Sequence, residues 1–112
     1  MADSIFGKIE RGEIPTELVY EDDRAVAFRD ANPQAPTHLL VIPRKPIPRL
    51  AEAEAGDEEL LGHLLRVARK VAVDAGLSDF RAVINDGAGV GQTVFHLHVH
   101  VLGGRPLRWP PG

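Results

Sequence analysis

His96, His98 and His100 alternate within the run from Phe95 to Leu102 and make up three of the chain's five histidines. Imidazole acts near neutral pH as nucleophile, proton donor, hydrogen-bond donor or metal ligand, so this run is where chemistry is expected. On an extended strand alternate side chains share one face, about 6.5 Å apart, while Leu97, Val99 and Val101 point into a core. A solvated strand face usually mixes Thr, Lys, Glu and Ser, which three identical titratable groups do not resemble. Just upstream, Asn85 to Thr93 carries Gly87, Gly89 and Gly91, whose backbone permits close approach of a ligand and inward-facing N–H groups. A glycine-rich loop that merely turns the chain has the same composition. Its position against the histidines is what points to phosphate chemistry.

The chain has no cysteine, which excludes disulfides, thiolate catalysis and sulfur-ligated zinc. Side chains standing parallel on a flat strand do not converge on one ion about 2.0 Å from each nitrogen, so no metal is expected. No cofactor is expected either. With 44% hydrophobic and 26% charged residues, the 112-residue chain has the composition of one globular domain spanning 1–112, with residues 103–112 as a C-terminal tail. Net charge is −3 and aromatics are 5%, without the basic face or stacking platform of a nucleic-acid binder. A small phosphorylated ligand remains compatible with this charge. Asp3, Lys8, Glu10, Arg11 and Glu13 interrupt any apolar leader, and no run approaches membrane-spanning length. Neither membrane nor nucleic acid is expected as a partner, and a cytoplasmic location is.

The elements that must position these residues follow from periodicity. Ser4 caps a short helix bearing Ile5, Phe6 and Ile9, and Gly12 stops it. Leu18 to Glu21 and Ala25 to Arg29 read as a hairpin around a polar turn. Pro33 and Pro36 stiffen the loop from Asp30 to Thr37, which delivers His38 to an apolar strand ending at Pro43. An irregular crossover from Arg44 to Ala55 leads to a long helix with Asp57 as N-cap and Gly76 as terminator. Its buried stripe is expected to be Leu60, Leu61, Leu64, Leu65, Ala68, Val71, Ala72 and Ala75, with His63 on the surface. Phe80 to Asn85 and Thr93 to Leu102 supply the last two strands. The fold class is α+β: a five-stranded antiparallel sheet with one long and one short helix on one side. Its exposed edges favour continuation of the sheet across a homodimer.

The run His96-Leu97-His98-Val99-His100-Val101-Leu102 is similar to the signature of the histidine triad superfamily. Ser4-Ile5-Phe6-Gly7-Lys8-Ile9, Tyr20 to Arg24, Pro33 to His38, Leu61 to Leu64 and Trp109-Pro110-Pro111-Gly112 resemble its Hint branch. The resemblance implies a homodimeric purine nucleoside phosphoramidase cleaving P–N bonds of adenylates, with a purine nucleotide as its small-molecule partner. His98 then matches the nucleophile that forms a nucleotidyl-histidine. His100 matches a donor to phosphate or leaving amine, and His96 and His38 match orienting residues.

By the same matching Asn85, Gly91, Gln92 and Thr93 contact the phosphate or leaving group, and Asp30 accepts the ribose hydroxyls. Ile5, Phe6, Ile9, Ile14, Phe28 and Leu40 resemble a purine pocket, although from the residues alone each reads as ordinary core. Trp109 resembles a tail residue that reaches the partner subunit's site. Two positions depart from the Hint pattern. Thr93 stands where serine is common, and Pro46 replaces a histidine after the basic pair Arg44-Lys45. A non-catalytic nucleotide-binding scaffold, and a dinucleoside polyphosphate hydrolase or nucleotidyl transferase of the same superfamily, are the rival readings.

Overall fold

Ser4 opens the first element of the computed structural model, which describes residues 3–112 and so leaves the first two residues of the expected domain outside it. Its hydroxyl accepts the Gly7 amide at 2.9 Å, satisfying a donor that the helix start would otherwise leave open. Helix α1 (Ile5–Glu10) ends before Gly12, whose φ of +76° suits glycine. The hairpin strands β1 (Leu18–Glu21) and β2 (Ala25–Arg29) have the expected bounds. Asp22 fixes their turn, its Oδ1 accepting the Arg24 and Ala25 amides at 2.7 and 2.8 Å. Strand β3 (Thr37–Pro43) is buried from His38 onward, as a central strand should be.

The crossover is irregular apart from two single 3₁₀ turns, Leu50–Glu52 and Ala55–Asp57. Asp57 does not cap the long helix with its side chain. That carboxylate turns back to accept the Glu54 amide at 2.9 Å and the Lys45 ammonium at 2.6 Å. Helix α2 (Glu58–Asp74) then buries Leu64, Val67, Ala68, Val71 and Ala72. Leu65 is 54% exposed instead, because it lies about 100° round the helix from Leu64. Ala75 falls just past the helix end and is exposed. Strand β4 (Phe80–Val83) stops short of Asn85, and β5 (Val99–Gly103) follows the glycine loop.

The strands form one antiparallel sheet in the order β1-β2-β3-β5-β4, with β1 and β4 at its edges. Alternation along β3 divides the core. Leu39 and Val41 face α2, while Leu40 and Ile42 join Ile9 and Phe6 of α1 on the other side. The helices therefore cover opposite faces of the sheet, not one. A short helix can do this because the apolar sheet residues clustered with it are few: Val26, Phe28, Leu40, Ile42 and the partly buried Leu18.

The histidine run is also not one continuous strand. Pairing of β3 with β5 ends at Val41 opposite Val99, and Pro43 has no N–H with which to extend a ladder. The Leu97 amide donates instead to the Ile47 carbonyl at 2.7 Å. Of the triad, only His100 lies on β5, and residues 93–98 form an irregular approach that still buries Leu97.

Candidate active site

The departure from strand geometry equips His98. Its Nδ1 lies 2.7 Å from the His96 carbonyl oxygen, an obligate acceptor, so Nδ1 carries the hydrogen. The second nitrogen, Nε2, is then an unprotonated lone pair. It makes no hydrogen bond, and no fully buried side-chain polar atom among the described residues lacks a partner, so Nε2 opens onto the site surface. The Phe6 ring meets His98 edge-on, centroids 4.9 Å apart at 90°, and holds the imidazole plane from the α1 side.

Cross-strand register sets the second pair. His38 stands opposite Leu102 and His100 opposite Leu40, which puts both imidazoles on the α1 face of the sheet. The Gln34 amide donates to His38 Nδ1 at 3.0 Å, so His38 carries its hydrogen on Nε2. That hydrogen points at His100 Nδ1, 2.9 Å away, with an Asp30 oxygen at 3.4 Å. His100 Nδ1 thus accepts, and its Nε2–H is free to donate into the site. The relay from Gln34 through His38 to His100 aims one N–H beside the bare Nε2 of His98, whose ring is 4.9 Å from that of His100.

Ligand atoms of Asp30, His38 and His100 all lie within 4.8 Å of one another, a cluster that invites a cation reading. The hydrogen bonds oppose it. Binding a cation at His38 Nε2 would move that hydrogen to Nδ1, against the incoming Gln34 N–H. The trio is built to pass a hydrogen-bond direction rather than to converge lone pairs.

The loop residues differ in what they face. Asn85 lines a cavity of about 510 Å³ with His38 and His100. Gly91, at φ +101°, and Thr93 are exposed at the end of the loop. Gln92 is different, being 3% exposed with every donor engaged. Its amide oxygen accepts the Gly87 N–H at 2.8 Å, and its amide nitrogen donates to the Pro48 and Val94 carbonyls at 2.9 and 3.1 Å. The backbone N–H of Gln92 is spent on the Gly87 carbonyl. Gln92 therefore shapes the loop and has no N–H left to donate to a phosphate, contrary to expectation.

Five of the six apolar residues matched to a purine pocket, Phe6, Ile9, Ile14, Phe28 and Leu40, gather in one cluster between α1 and the sheet. Ile5 is 51% exposed and outside it. Trp109 is 81% exposed on the tail, which Arg81 secures by donating to the Leu107 and Arg108 carbonyls. Sequence reasoning missed the main-chain partners: the Gln34 amide, the His96 carbonyl, and the Pro43 carbonyl that accepts His96 Nε2–H at 2.7 Å. No side-chain type announces them.

The HIT domain model matches residues 11–107. The chain belongs to the HIT family. An uncharacterized HIT-like protein of Synechocystis sp. is 63% identical over 111 residues, covering 98% of this chain and 97% of the relative. A HIT family hydrolase from Legionella pneumophila superposes with a TM-score of 0.93 at 50% identity, over 96% of this chain and 98% of that one. A histidine triad protein from Clostridium difficile gives 0.91 at 43% identity, over 96% of each chain.

Electrostatics sharpen the roles available to the HIT histidines. Burial depresses the basicity of His96 and His98, outweighing the carbonyl acceptors that favour their protonated forms. His100 is pushed down to about 4, by burial first and then by repulsion from His98 and His38. At neutral pH all three rings of this HIT motif are uncharged. The site can therefore offer one lone pair and one neutral N–H side by side.

Proposed function

We propose that this HIT protein is a hydrolase of the Hint type, a nucleoside phosphoramidase that cleaves purine nucleoside 5'-phosphoramidates to the nucleoside monophosphate and an amine. The observation that carries the reading is the His98 tautomer, with Nδ1–H tied to the His96 carbonyl and Nε2 bare at the site surface. HIT family hydrolases among its structural relatives, at 50% and 39% identity, support the hydrolytic class.

In the proposed reaction His98 Nε2 attacks the α-phosphorus, forming an N–P bond as the bond to the amine nitrogen breaks. The departing amine takes a proton from solvent. His100, kept neutral, stabilises phosphoryl charge through its Nε2–H and does not act as a charged acid. The nucleotidyl-imidazole is cationic, and the His96 carbonyl opposite Nδ1–H favours that charge. Water then attacks phosphorus, the P–Nε2 bond breaks with its electrons returning to His98, and the water's proton goes to solvent. Asp30, at the end of β2, is proposed to accept ribose hydroxyls, and the Phe6, Ile9, Phe28 and Leu40 cluster to seat the base.

A fast-quench experiment with an adenosine 5'-phosphoramidate tests this. Mass spectrometry is expected to find a nucleotidyl adduct on the peptide containing His98, and His98→Ala is expected to stay folded while releasing no AMP. Turnover with no adduct at any time point would remove the covalent mechanism. Tight AMP binding without turnover of any phosphoramidate would favour a binding protein instead.

A further inference from the structure

We propose that Ser4 is a positioning residue for the nucleophile: its hydroxyl holds the His96 ring, and through the His96 main chain the His98 ring, in one orientation. The hydroxyl lies 3.3 Å from His96 Nδ1 while its oxygen accepts the Gly7 amide at 2.9 Å. A hydroxyl has one hydrogen and two lone pairs. Since Gly7 takes a lone pair, the hydrogen is left for His96.

The opposite side of that ring gives the same answer independently. His96 Nε2 is 2.7 Å from the Pro43 carbonyl, which only accepts, so Nε2 carries the hydrogen and Nδ1 is bare. Among the described residues, Ser4 supplies the one donor to this bare nitrogen. His96 is 2% exposed, so water does not readily replace the hydroxyl, and losing it strands a buried acceptor. The same residue's carbonyl takes His98 Nδ1–H. The path from Ser4 to the bare Nε2 of His98 is therefore one hydrogen bond, one ring and its backbone, and a second hydrogen bond.

This arrangement gives α1 a role beyond packing. Its N-cap reaches His96, and Phe6, two residues along, meets His98 edge-on. A shift of the helix would loosen both rings together. The charged groups whose fields reach His96 are Asp3, Glu10 and Arg11 at the two ends of the helix, and the one titratable neighbour on its own run is His98.

Capping and ring-holding can be separated because aspartate caps a helix as well as serine but cannot donate to Nδ1 when ionised. The kinetic arm rests on the phosphoramidase reading. Ser4→Thr is expected to match the parent, and Ser4→Asp to stay folded with its helix cap retained while kcat falls about five- to tenfold with KM little changed. Ser4→Ala should lose both. The independent arm is the ring ¹⁵N shifts of His96: Nδ1 is expected to move toward a protonated value in Ser4→Asp and to stay unprotonated in Ser4→Thr. Wild-type kcat in Ser4→Asp together with unchanged His96 shifts would reduce Ser4 to a helix cap and overturn the proposal. If the parent cleaves no phosphoramidate, the functional reading falls, and the His96 shifts alone still decide the role of Ser4.

Discussion

Burial keeps the His98 imidazole neutral at pH values where a free histidine, with a pKa near 6.5, is already half protonated. A nucleophile of this kind should go on working as the solution is acidified. We expect kcat/KM for a phosphoramidate to stay level as pH falls through 6.5 and to decline only below it; a limb centred at 6.5 or above would contradict the burial argument. Stability follows the same groups with a definite sign. His96, His98 and His100 have folded-state values below the unfolded one, so the unfolded chain binds more protons in that window. Unfolding free energy is therefore expected to be undiminished above about pH 7 and to drop as pH falls through 6.5 toward about 4, where His100 titrates. Urea midpoints across that range would check it. At this scale the sequence was informative about which residues matter and silent about their tautomers. The alternating histidines are visible as letters, whereas the carbonyls of Pro43 and His96 and the amide of Gln34 belong to the main chain.

Helix and strand identities followed from periodicity because each apolar pattern matched one local geometry, and β1 and β2 have the bounds read from sequence. The misreadings arose where tertiary contacts competed. His63 was expected on the solvent side of α2, yet its side chain is only 17% exposed. Its Nε2 donates to Asp22 Oδ2 at 2.6 Å, the oxygen that also accepts the Tyr20 hydroxyl at 2.6 Å, while Arg24 reaches His63 Nδ1. Burial opposes ionisation of Asp22, but bonds from Tyr20, the Arg24 and Ala25 amides and His63 outweigh it and hold the carboxyl well below its usual range. This cluster pins the β1–β2 turn to α2. His63→Ala is expected to cost about 1–2 kcal/mol of unfolding free energy while leaving the catalytic face intact, read as a shifted urea midpoint with unchanged turnover. The glycine loop suggests ligand-facing amides from its composition, yet the Gly87, Val90, Gly91 and Gln92 N–H groups bond within the loop itself, and the family matching that makes Gln92 a ligand contact does not show where its side chain turns. Its amide actually bridges Gly87, Pro48 and Val94. Gln92→Glu would set a buried carboxylate against two carbonyl oxygens, and a loss of about 3 kcal/mol in chemical unfolding is expected.

For the whole molecule, the sheet ends in two edges, β1 and β4, and β4 is the one beside the tail. Among the described residues strand β4 pairs only with β5, so the outer side of Phe80–Val83 presents backbone groups without strand partners, with Phe80 39% exposed beside them. The tail runs close by. Arg81 of this strand grips the Leu107 and Arg108 carbonyls, and Trp109 beyond them is 81% exposed, a large apolar surface for one isolated chain. A two-fold axis at β4 would pair the two edges and carry each tail toward the other subunit, so a homodimer joined there is the assembly we propose. Phe80→Lys adds a charge where edge pairing would bury it and leaves the β3–β5 face that bears the histidines untouched. Sedimentation velocity is expected to give a dimer for the parent and a monomer for this variant. If Trp109 completes the partner's site, the monomer should also lose affinity for amines with bulky apolar groups while keeping the His98 adduct. A parent that sediments as a monomer at micromolar concentration would eliminate the shared sheet and leave the tail as a wall of its own subunit's cavity, where Arg108 and Pro110 already stand near His100.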